Sequence, residues 1–358
     1  MRLSLALFSI GTIVLPCIGL AQEGPADGPY KVVKTVKVGG EGGWDYVFAD
    51  ADGRRLYIPR TGRGGGRVTV FDLDTLQSAG EIPNANGVHG VAVDPKSHHG
   101  FSSSKPVIMF DTKTLAPIKT IEVQGNPDGI LFDPATERVF VLSHRAPNVT
   151  VINATDGSVV GTIDLGGAPE QAASDGNGHI YVDIEDKDNV AVVDANMLKV
   201  TAHYGLEGKG GGPGGLAMDA KNRVLFVFCH NPHTAVILNA DDGKILATLP
   251  IGNGVDAGEF NPNTMEAFSS QRDATLTVIK ENSPTSFEVE QNVKTRPGAR
   301  TSTLDSKTDQ IYLITAEQAP PAGQQAGQGQ AGEQGARRGR GGRGQMVPDS
   351  FMILVVGK

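Results

Sequence analysis

Cysteine and tryptophan are scarce in this sequence. It has two cysteines, Cys17 and Cys229, and one tryptophan among 358 residues. Cys17 lies in an N-terminal apolar segment that we expect to be removed, which leaves one cysteine and excludes an internal disulfide. The fold must therefore be stabilised by a packed core, for which the remaining residues suffice. Glycine is abundant, at 47 residues, and this favours short strands joined by tight turns over long helices.

Long apolar stretches are also missing after the N-terminus. Residues 1–21 have the layout of a secretory signal peptide, with a positive start, an apolar centre and small residues before a cleavage site at Gln22. The alternatives are an uncleaved membrane anchor, or a lipoprotein at Cys17 that the preceding proline disfavours. We expect a mature protein of residues 22–358, periplasmic or secreted, with no membrane span after signal cleavage.

Positive charge is limited as well. The formal net charge of −8 gives the molecule as a whole no electrostatic reason to bind nucleic acid or anionic lipid. The exception is a Gln-, Gly- and Arg-rich loop at about residues 317–348, which contains an arginine run at 337–343. We expect this loop to be disordered, and it is either a tethered lid, a partner-binding tail or a neutral insertion. No aromatic residue is interleaved with its arginines, so no nucleic-acid partner is expected.

A unit of about 42 residues recurs seven times. Each unit has a short apolar strand that ends in Asp or Asn, then a turn and further short strands. The residues that close the first strands are Asp50, Asp94, Asp133, Asp175, Asp219, Asn261 and Asp305. Seven units of this length are typical of four-stranded propeller blades. The sequence therefore predicts an all-β fold, a single seven-bladed β-propeller of four-stranded blades.

The last unit lacks its fourth strand. Its third strand is predicted at residues 352–356, and the sequence ends at Lys358. A strand pattern at residues 31–38, ahead of the first unit, supplies the missing strand. We therefore predict that the N-terminal strand completes the C-terminal blade and closes the ring, which removes the open sheet edges. The alternative, an open solenoid, would leave both end strands unpaired.

The repeat resembles that of the YVTN/YncE family of exported β-propellers. The resemblance is carried by strand pairs such as residues 138–143 with 149–153 and residues 56–59 with 68–72. It covers nearly all of the mature chain, although no unit contains the sequence Tyr-Val-Thr-Asn. The resemblance implies an exported closed propeller. Because propellers host many functions, it does not imply one activity.

Propeller geometry places one position of each unit at the mouth of the central channel. The first strand of a blade lines the channel, and the residue five positions before each strand-closing residue should lie at its entrance. These residues are Asp45, His89, Asp128, Glu170, Gly214, Asp256 and Arg300. His144 and His230 begin loops between second and third strands, which reach the same face. We therefore predict a ligand-binding site at the channel mouth.

Four carboxylates of this set are candidate metal ligands. They are Asp45, Asp128, Glu170 and Asp256. Crowded carboxylates either have raised pKa values or attract a cation, and oxygen ligands favour Ca²⁺ or Mg²⁺ over zinc. Arg300 and His89 would then hold an anionic or carbonyl group of a small ligand. The alternative is that these side chains are polar only because water fills the tunnel.

One further motif resembles a soft-metal cluster. Cys229 and His230 are adjacent and His233 follows, but strand alternation turns the first two side chains to opposite faces. The sequence contains neither a nucleophile elbow nor a metalloprotease helix motif.

Three functions are open at this point. The first is an exported, non-catalytic binding or scaffold propeller that uses the channel-mouth face for a small ligand or a protein partner. The second is a metal-dependent enzyme similar to propeller lactonases and lyases, in which a central ion polarises a carbonyl. The third is a scaffold subunit similar to the heavy chains of quinoprotein amine dehydrogenases. The lack of a catalytic motif favours the first.

Overall fold

The structure is a computed structural model that describes residues 25–62, 65–146, 148–319 and 346–358. In these residues the chain forms twenty-eight strands in seven four-stranded antiparallel sheets, together with one 3-10 turn at Glu185–Lys187. The predicted signal peptide, and residues 320–345 of the predicted loop, lie outside the described residues. Among the described residues, no helix is long and apolar enough to cross a membrane.

Each blade is a meander of consecutive strands. Blade 1 contains β2 (Phe48–Asp50), β3 (Arg55–Arg60), β4 (Arg67–Asp72) and β5 (Ser78–Ile82). Blade 2 contains β6 (Val91–Asp94), β7 (His99–Ser102), β8 (Val107–Asp111) and β9 (Pro117–Ile121). Blade 3 contains β10 (Pro127–Asp133), β11 (Arg138–Ser143), β12 (Val149–Asn153) and β13 (Val159–Ile163). Blade 4 contains β14 (Pro169–Ser174), β15 (His179–Ile184), β16 (Asn189–Asp194) and β17 (Lys199–Gly205).

The remaining blades follow the same plan. Blade 5 contains β18 (Pro213–Asp219), β19 (Val224–Cys229), β20 (Thr234–Asn239) and β21 (Ile245–Pro250). Blade 6 contains β22 (Val255–Asn261), β23 (Glu266–Gln271), β24 (Thr275–Ser283) and β25 (Ser286–Lys294). Blade 7 contains β26 (Ser302–Asp305), β27 (Gln310–Thr315), β28 (Met352–Gly357) and β1 (Lys31–Lys37). The predicted seven-bladed propeller of four-stranded blades is confirmed.

The ring closes as the sequence predicts, through pairing of the N-terminal strand with the C-terminal strand. β1 pairs antiparallel with β28, from Lys31 opposite Gly357 to Lys37 opposite Met352. Tyr30, just before β1, donates a hydrogen bond of 2.5 Å from its hydroxyl to the buried Glu266 carboxylate of blade 6. Lys358 pairs with the same carboxylate at 3.0 Å. Both ends of the described chain are therefore anchored to blade 6 as well as to each other.

The Asp or Asn that closes each first strand has a structural role in the next turn. In every blade its side-chain oxygen accepts a hydrogen bond of 2.8–3.1 Å from a backbone N–H two or three residues later. All seven of these side chains are buried. Short Asp and Asn side chains are suited to this contact because they reach their own turn backbone. The repeated residue is therefore a turn-forming residue.

The core lies between the blades. Seven clusters of buried apolar side chains each join two neighbouring sheets. Phe101 of β7, for example, packs in one cluster with Val141 of β11, and both are almost fully buried. Since each sheet has apolar residues on both faces, the blades stack around the ring and leave the first strands on the channel. This arrangement brings the seven chain segments that enter the blades to one mouth.

Candidate functional site

The local geometry of the mouth depends on irregular strand pairing. In blades 3 to 6 the register between the first and second strands shifts at the residues Asp128, Glu170, Gly214 and Asp256 or beside them. A bulge of this kind breaks the alternation of side chains and re-aims the residue at the irregularity. In blades 1, 2 and 7 the corresponding residues precede the first strand. The mouth residues therefore lie at the start of the first strands or immediately before them.

Five predicted residues form one continuous run of contacts across blades 1 to 4. His89 Nδ1 lies 2.7 Å from Asp45 Oδ2 and 3.3 Å from Asp128 Oδ1. His144 Nε2 lies 3.0 Å from Asp128 Oδ2 and 3.2 Å from Glu170 Oε1. We call Asp45, His89, Asp128, His144 and Glu170 the mouth cluster. Asp128 uses one carboxylate oxygen toward each imidazole, so it joins the two halves of the cluster.

The carboxylates stabilise the charged form of the two imidazoles. The hydrogen bond to Asp45 raises the pKa of His89, with the charges of Asp128 and Asp45 acting in the same direction. Hydrogen bonds to Asp128 and Glu170 raise the pKa of His144 to about 10. Both imidazoles are about two-fifths exposed, whereas the Asp128 side chain is 15% exposed. In this cluster the carboxylates are therefore less exposed to solvent than the imidazoles they contact.

Arg300 and Asp256 form a second group at the mouth, next to Asp45. The Arg300 guanidinium pairs with the Asp256 carboxylate and lies 3.8 Å from Asp45 Oδ1. Burial raises the pKa of Asp256 to about 7, although the neighbouring Arg300 charge opposes that shift. Arg300 therefore connects Asp256 to the mouth cluster through Asp45. Asp256 itself belongs to neither three-residue group of candidate metal ligands found among the described residues.

His230 lies at the mouth but outside the cluster. Its ring occupies the space above Gly214, where an added Cβ would come within 2.6 Å of Nε2. This explains why blade 5 has glycine at the mouth position. Burial lowers the pKa of His230. The neighbouring Cys229 is fully buried, and burial raises the pKa of its thiol to about 12. Neither Cys229 nor His230 belongs to a group of converging metal ligands among the described residues.

Sequence reasoning missed four residues of this region. The Tyr46 hydroxyl donates a 2.7 Å hydrogen bond to Glu170 Oε2, and burial together with the Glu170 charge raises the Tyr46 pKa. Gln171 accepts hydrogen bonds from the backbone N–H groups of blades 5 and 6, each at 2.9 Å. Glu185 lies beside Glu170, and burial raises its pKa. Glu259 lines the channel below the mouth.

The signal that could have found Tyr46 and Gln171 is their position. Each directly follows a mouth residue, and strand alternation would turn it away from the channel. Gln171 lies in the irregular pairing at the entrance of β14, which removes that alternation. Tyr46 precedes β2, so no regular strand imposes the alternation on it. Below them the channel contains a cavity of about 330 Å³, lined by first-strand residues of six blades and including the carboxylates of Glu170 and Glu259.

The mouth cluster offers two groups of donor atoms that could hold a metal ion. Asp45, His89 and Asp128 form one group of converging donor atoms, and Asp128, His144 and Glu170 form another. Donor atoms around a tetrahedral Zn²⁺ at ~2.0–2.1 Å lie ~3.3 Å apart. The four imidazole–carboxylate distances, 2.7 to 3.3 Å, are at or slightly below that value. The same distances suit charged hydrogen bonds, so the cluster can hold either protons or a metal ion.

Comparison with known proteins supports the fold and assigns no family. The sequence matches no protein-family description and no curated protein. A solved structure of U3-55K is similar with a TM-score of 0.70 at 12% identity, over 92% of this chain and 99% of that chain. The solved structure of the WD40 repeats of RRP9 is similar with a TM-score of 0.71 at 12% identity, over 94% of this chain and 99% of that chain. A solved structure of the Mitotic Checkpoint Complex contains a chain that is similar with a TM-score of 0.69 at 10% identity, over 86% of this chain and 96% of that chain. These likenesses show the fold alone, a seven-bladed β-propeller.

Proposed function

We propose that this chain is a non-catalytic binding propeller that holds a divalent metal ion at its channel mouth and presents it to a small anionic ligand. The observation that carries the proposal is the pair of three-residue donor groups that share Asp128. Three blades contribute carboxylates and two contribute imidazoles, so the assembled donor set depends on the closed ring. Arg300, which lies 3.8 Å from Asp45, supplies positive charge beside the ion for the ligand.

The donor set also bears on the identity of the ion. The sequence alone suggested Ca²⁺ or Mg²⁺, because it placed four carboxylates at the mouth. In the structure each donor group includes an imidazole nitrogen and leaves out Asp256. Mixed imidazole and carboxylate ligands suit first-row ions such as Zn²⁺ or Mn²⁺ better than a site of oxygen ligands alone. We therefore propose a first-row divalent ion.

Metal titration tests the proposal. Residues 22–358 would be purified without chelator or nickel resin, and Zn²⁺, Mn²⁺, Ca²⁺ and Mg²⁺ would each be titrated by calorimetry. We expect Zn²⁺ and Mn²⁺ to bind with at least tenfold higher affinity than Ca²⁺ and Mg²⁺, a difference in binding free energy of about 1.4 kcal/mol. Asp128→Asn, which alters both donor groups, should abolish binding.

His230→Gln is the matched control for this titration. It changes an imidazole on the same face that belongs to neither donor group. It should leave metal binding unchanged. The proposal is wrong if the unmodified protein binds none of the four ions, or if both variants lose binding equally.

An enzyme is the second candidate function. The Tyr46 hydroxyl lies 2.7 Å from Glu170, and Arg300 is beside Asp45, so a proton donor and a positive group adjoin the proposed ion. Metal-dependent turnover of lactones or lyase substrates, lost in Tyr46→Phe, would favour this candidate.

Binding of a protein partner at the mouth face is the third candidate function, since one similar structure is a chain of a complex. Pull-downs with the unmodified protein and with Arg300→Gln would distinguish it.

We also propose that the protein is exported. The support is the layout of residues 1–21, which lie outside the described residues. Mass spectrometry of the protein isolated from its native compartment should give an N-terminus at Gln22. An intact Met1 on membrane-bound protein would contradict this.

A further inference from the structure

The channel below the mouth contains a cavity that the proposed metal site does not use. Its volume is about 330 Å³, and it extends from Tyr46 and Glu170 near the mouth to Glu259 of β22. Glu259 lies three residues beyond the mouth residue Asp256, which places it about 10 Å deeper at ~3.3 Å per strand residue. The volume is at the lower end of the range of ~300–1,000 Å³ that small-molecule sites occupy.

The walls of this cavity are largely apolar. Four apolar side chains line it and keep part of their surface exposed, and they are Phe48, Ile130, Leu131 and Leu304. Gly90 also lines the cavity, and a Cβ added there would come within 3.0 Å of Ile130 Cγ2. The glycine therefore leaves room beside Ile130. Most of the lining can contact the apolar body of a ligand but cannot pair with a charge.

All but one of the polar side chains in this lining already have partners within the described residues. The Tyr46 hydroxyl donates to one oxygen of Glu170, whose other oxygen faces a mouth imidazole. The Gln171 amide bonds to the backbone of blades 5 and 6. Ser302 and Thr303 bond to groups of the neighbouring blades, at 3.1 Å and 3.0 Å. These side chains are therefore not available to a ligand.

Glu259 is the exception. No hydrogen bond, ion pair or neighbouring charge acts on its carboxylate within the described residues. Both carboxylate oxygens are open to the cavity, because neither is among the solvent-inaccessible unpaired atoms of that part of the chain. No lysine, arginine or histidine lines the described cavity. An unpaired carboxylate in apolar surroundings loses much of its interaction with water, so a ligand that supplies positive charge would stabilise it.

We propose that this cavity binds a small primary amine with a compact apolar body. Its ammonium group pairs with the Glu259 carboxylate, and its apolar body packs against Phe48, Ile130 and Leu304. An ammonium suits the site better than a guanidinium, since it has three N–H donors to satisfy instead of five and the walls offer few acceptors.

The amine site is distinct from the proposed metal site. Glu259 belongs to neither group of converging metal ligands in the described residues, so a lone carboxylate at this depth favours an organic cation over a metal ion. Glu170 lines the cavity, but both of its oxygens already have partners. Binding of the amine does not require the metal ion of the mouth cluster, so the two proposals can fail separately.

Protonation of Glu259 gives the proposal a specific signature. Burial raises the pKa of this carboxyl to about 8, and Tyr46 and Glu170 are the other titratable groups that line the described cavity. An alkyl ammonium keeps its charge up to pH ~10, as a lysine side chain does. Below pH 8 the carboxyl must therefore lose a proton when the amine binds, and above pH 8 it is already ionised. The affinity for the amine should rise with pH through this range.

Calorimetry with a charged and a neutral probe tests the proposal. The probe is cyclohexylamine, and the matched neutral probe is cyclohexanol, which has the same ring. Both would be titrated into residues 22–358 in the presence of EDTA, at pH 6 and at pH 9. We expect saturable binding of the amine at pH 9. Binding of the alcohol at pH 9, and of the amine at pH 6, should each be at least tenfold weaker.

Variants then locate the cation. Glu259→Gln keeps the shape of the side chain but removes its charge, so it should weaken amine binding at pH 9 at least tenfold and abolish the pH dependence. Glu259→Asp, which keeps the charge, should weaken binding less. The control is Glu288→Gln, because Glu288 is an exposed carboxylate on the outer strand of the same blade and does not line the cavity. It should leave amine binding unchanged. Thermal unfolding of each variant checks that it is folded.

Three results would overturn the proposal. One is amine binding that does not saturate, or that is no tighter than binding of the alcohol. Another is an equal affinity for the amine at pH 6 and pH 9. The third is unchanged amine binding in folded Glu259→Gln protein. If Asp128→Asn abolishes binding instead, the amine binds to the carboxylates of the mouth cluster.

Discussion

Glu259 shows how burial at one residue links the channel to stability. Its carboxylate lines the channel cavity and, within the described residues, makes no ion pair. Burial alone raises its pKa from 4.5 to about 8. Below pH 4.5 the group is protonated in both the folded and the unfolded chain. Between pH 4.5 and 8 only the unfolded chain ionises, so the free energy of unfolding falls as the pH rises.

The variant Glu259→Gln should remove this pH-dependent fall in the free energy of unfolding. We expect its free energy of unfolding to equal that of the unmodified protein near pH 4 and to exceed it by about 2 kcal/mol at pH 8, allowing for solvent that reaches the channel. Urea denaturation at pH 4, 6 and 8 measures the difference. A variant whose advantage is the same at all three pH values would show that Glu259 does not titrate in this range.

The mouth cluster depends on single residues in a different way. Each imidazole contacts two carboxylates, and Asp128 contacts both imidazoles. Removal of Asp128 therefore breaks two contacts at once, whereas removal of Asp45 or Glu170 breaks one contact to an imidazole. This asymmetry is why Asp128→Asn is the first variant to test for metal binding.

At the scale of the element, the turn after each first strand depends on its buried Asp or Asn. Asp133 accepts hydrogen bonds from the Thr136 backbone N–H at 3.0 Å and its hydroxyl at 2.6 Å. It also accepts one of 2.5 Å from Ser174 of the next blade. The same carboxylate thus shapes a turn of blade 3 and joins it to blade 4.

Replacement of this residue should be costly. Asp133→Ala leaves three donors without their acceptor, and we expect it to lower the free energy of unfolding by about 2–4 kcal/mol. The matched control is Asp52→Ala, since Asp52 is an exposed residue in the equivalent turn of blade 1 and pairs with Lys307 at 2.8 Å. It should cost less than ~1 kcal/mol. Equal shifts in urea midpoint would contradict the turn-forming role.

At the scale of the whole molecule, closure of the ring should control solubility. Deletion of residues 25–38 removes β1 and leaves one edge of β28 unpaired, while its other edge still pairs with β27. Unpaired strand edges promote association, so we expect dimers or larger species in size-exclusion chromatography and a lower melting temperature.

Addition of the missing strand is the control for the deletion. A synthetic peptide of residues 25–38 should restore the monomer, because it supplies both β1 and Tyr30, whose hydroxyl binds Glu266. A truncated chain that stays monomeric with an unchanged melting temperature would show that closure contributes little.

The repeat explains why the sequence determined the fold. Its seven strand-closing residues each make the same local contact with the turn that follows. Local contacts depend on residues close in sequence, so their spacing can be read directly. The number of blades follows from that spacing, and closure by β1 follows from the strand pattern at residues 31–38, which supplies the fourth strand that the last unit lacks. Both are present in the structure.

The residues at the mouth could be predicted from the sequence, but only some of their contacts could. Counting back from the strand-closing residues located seven positions, and it placed Asp45, His89 and Asp128 together as well as Arg300 with Asp256. Which side chains touch depends on irregular pairing at the strand entrances and on loops from other blades. Tyr46 reaches Glu170 across 124 residues of sequence, and no local pattern encodes such a contact.

A cavity of about 520 Å³ beside the mouth was decided by tertiary structure alone. Trp44, Arg272, Pro297 and Met346 come from segments that are separated along the chain and have no common spacing. Their meeting follows from the circular order of blades 6, 7 and 1 and from closure of the ring by β1. The sequence by itself determined the propeller, because that information is repeated and local. The folded ring determined the composition of the mouth cluster and of this cavity, because each one forms only where several blades converge.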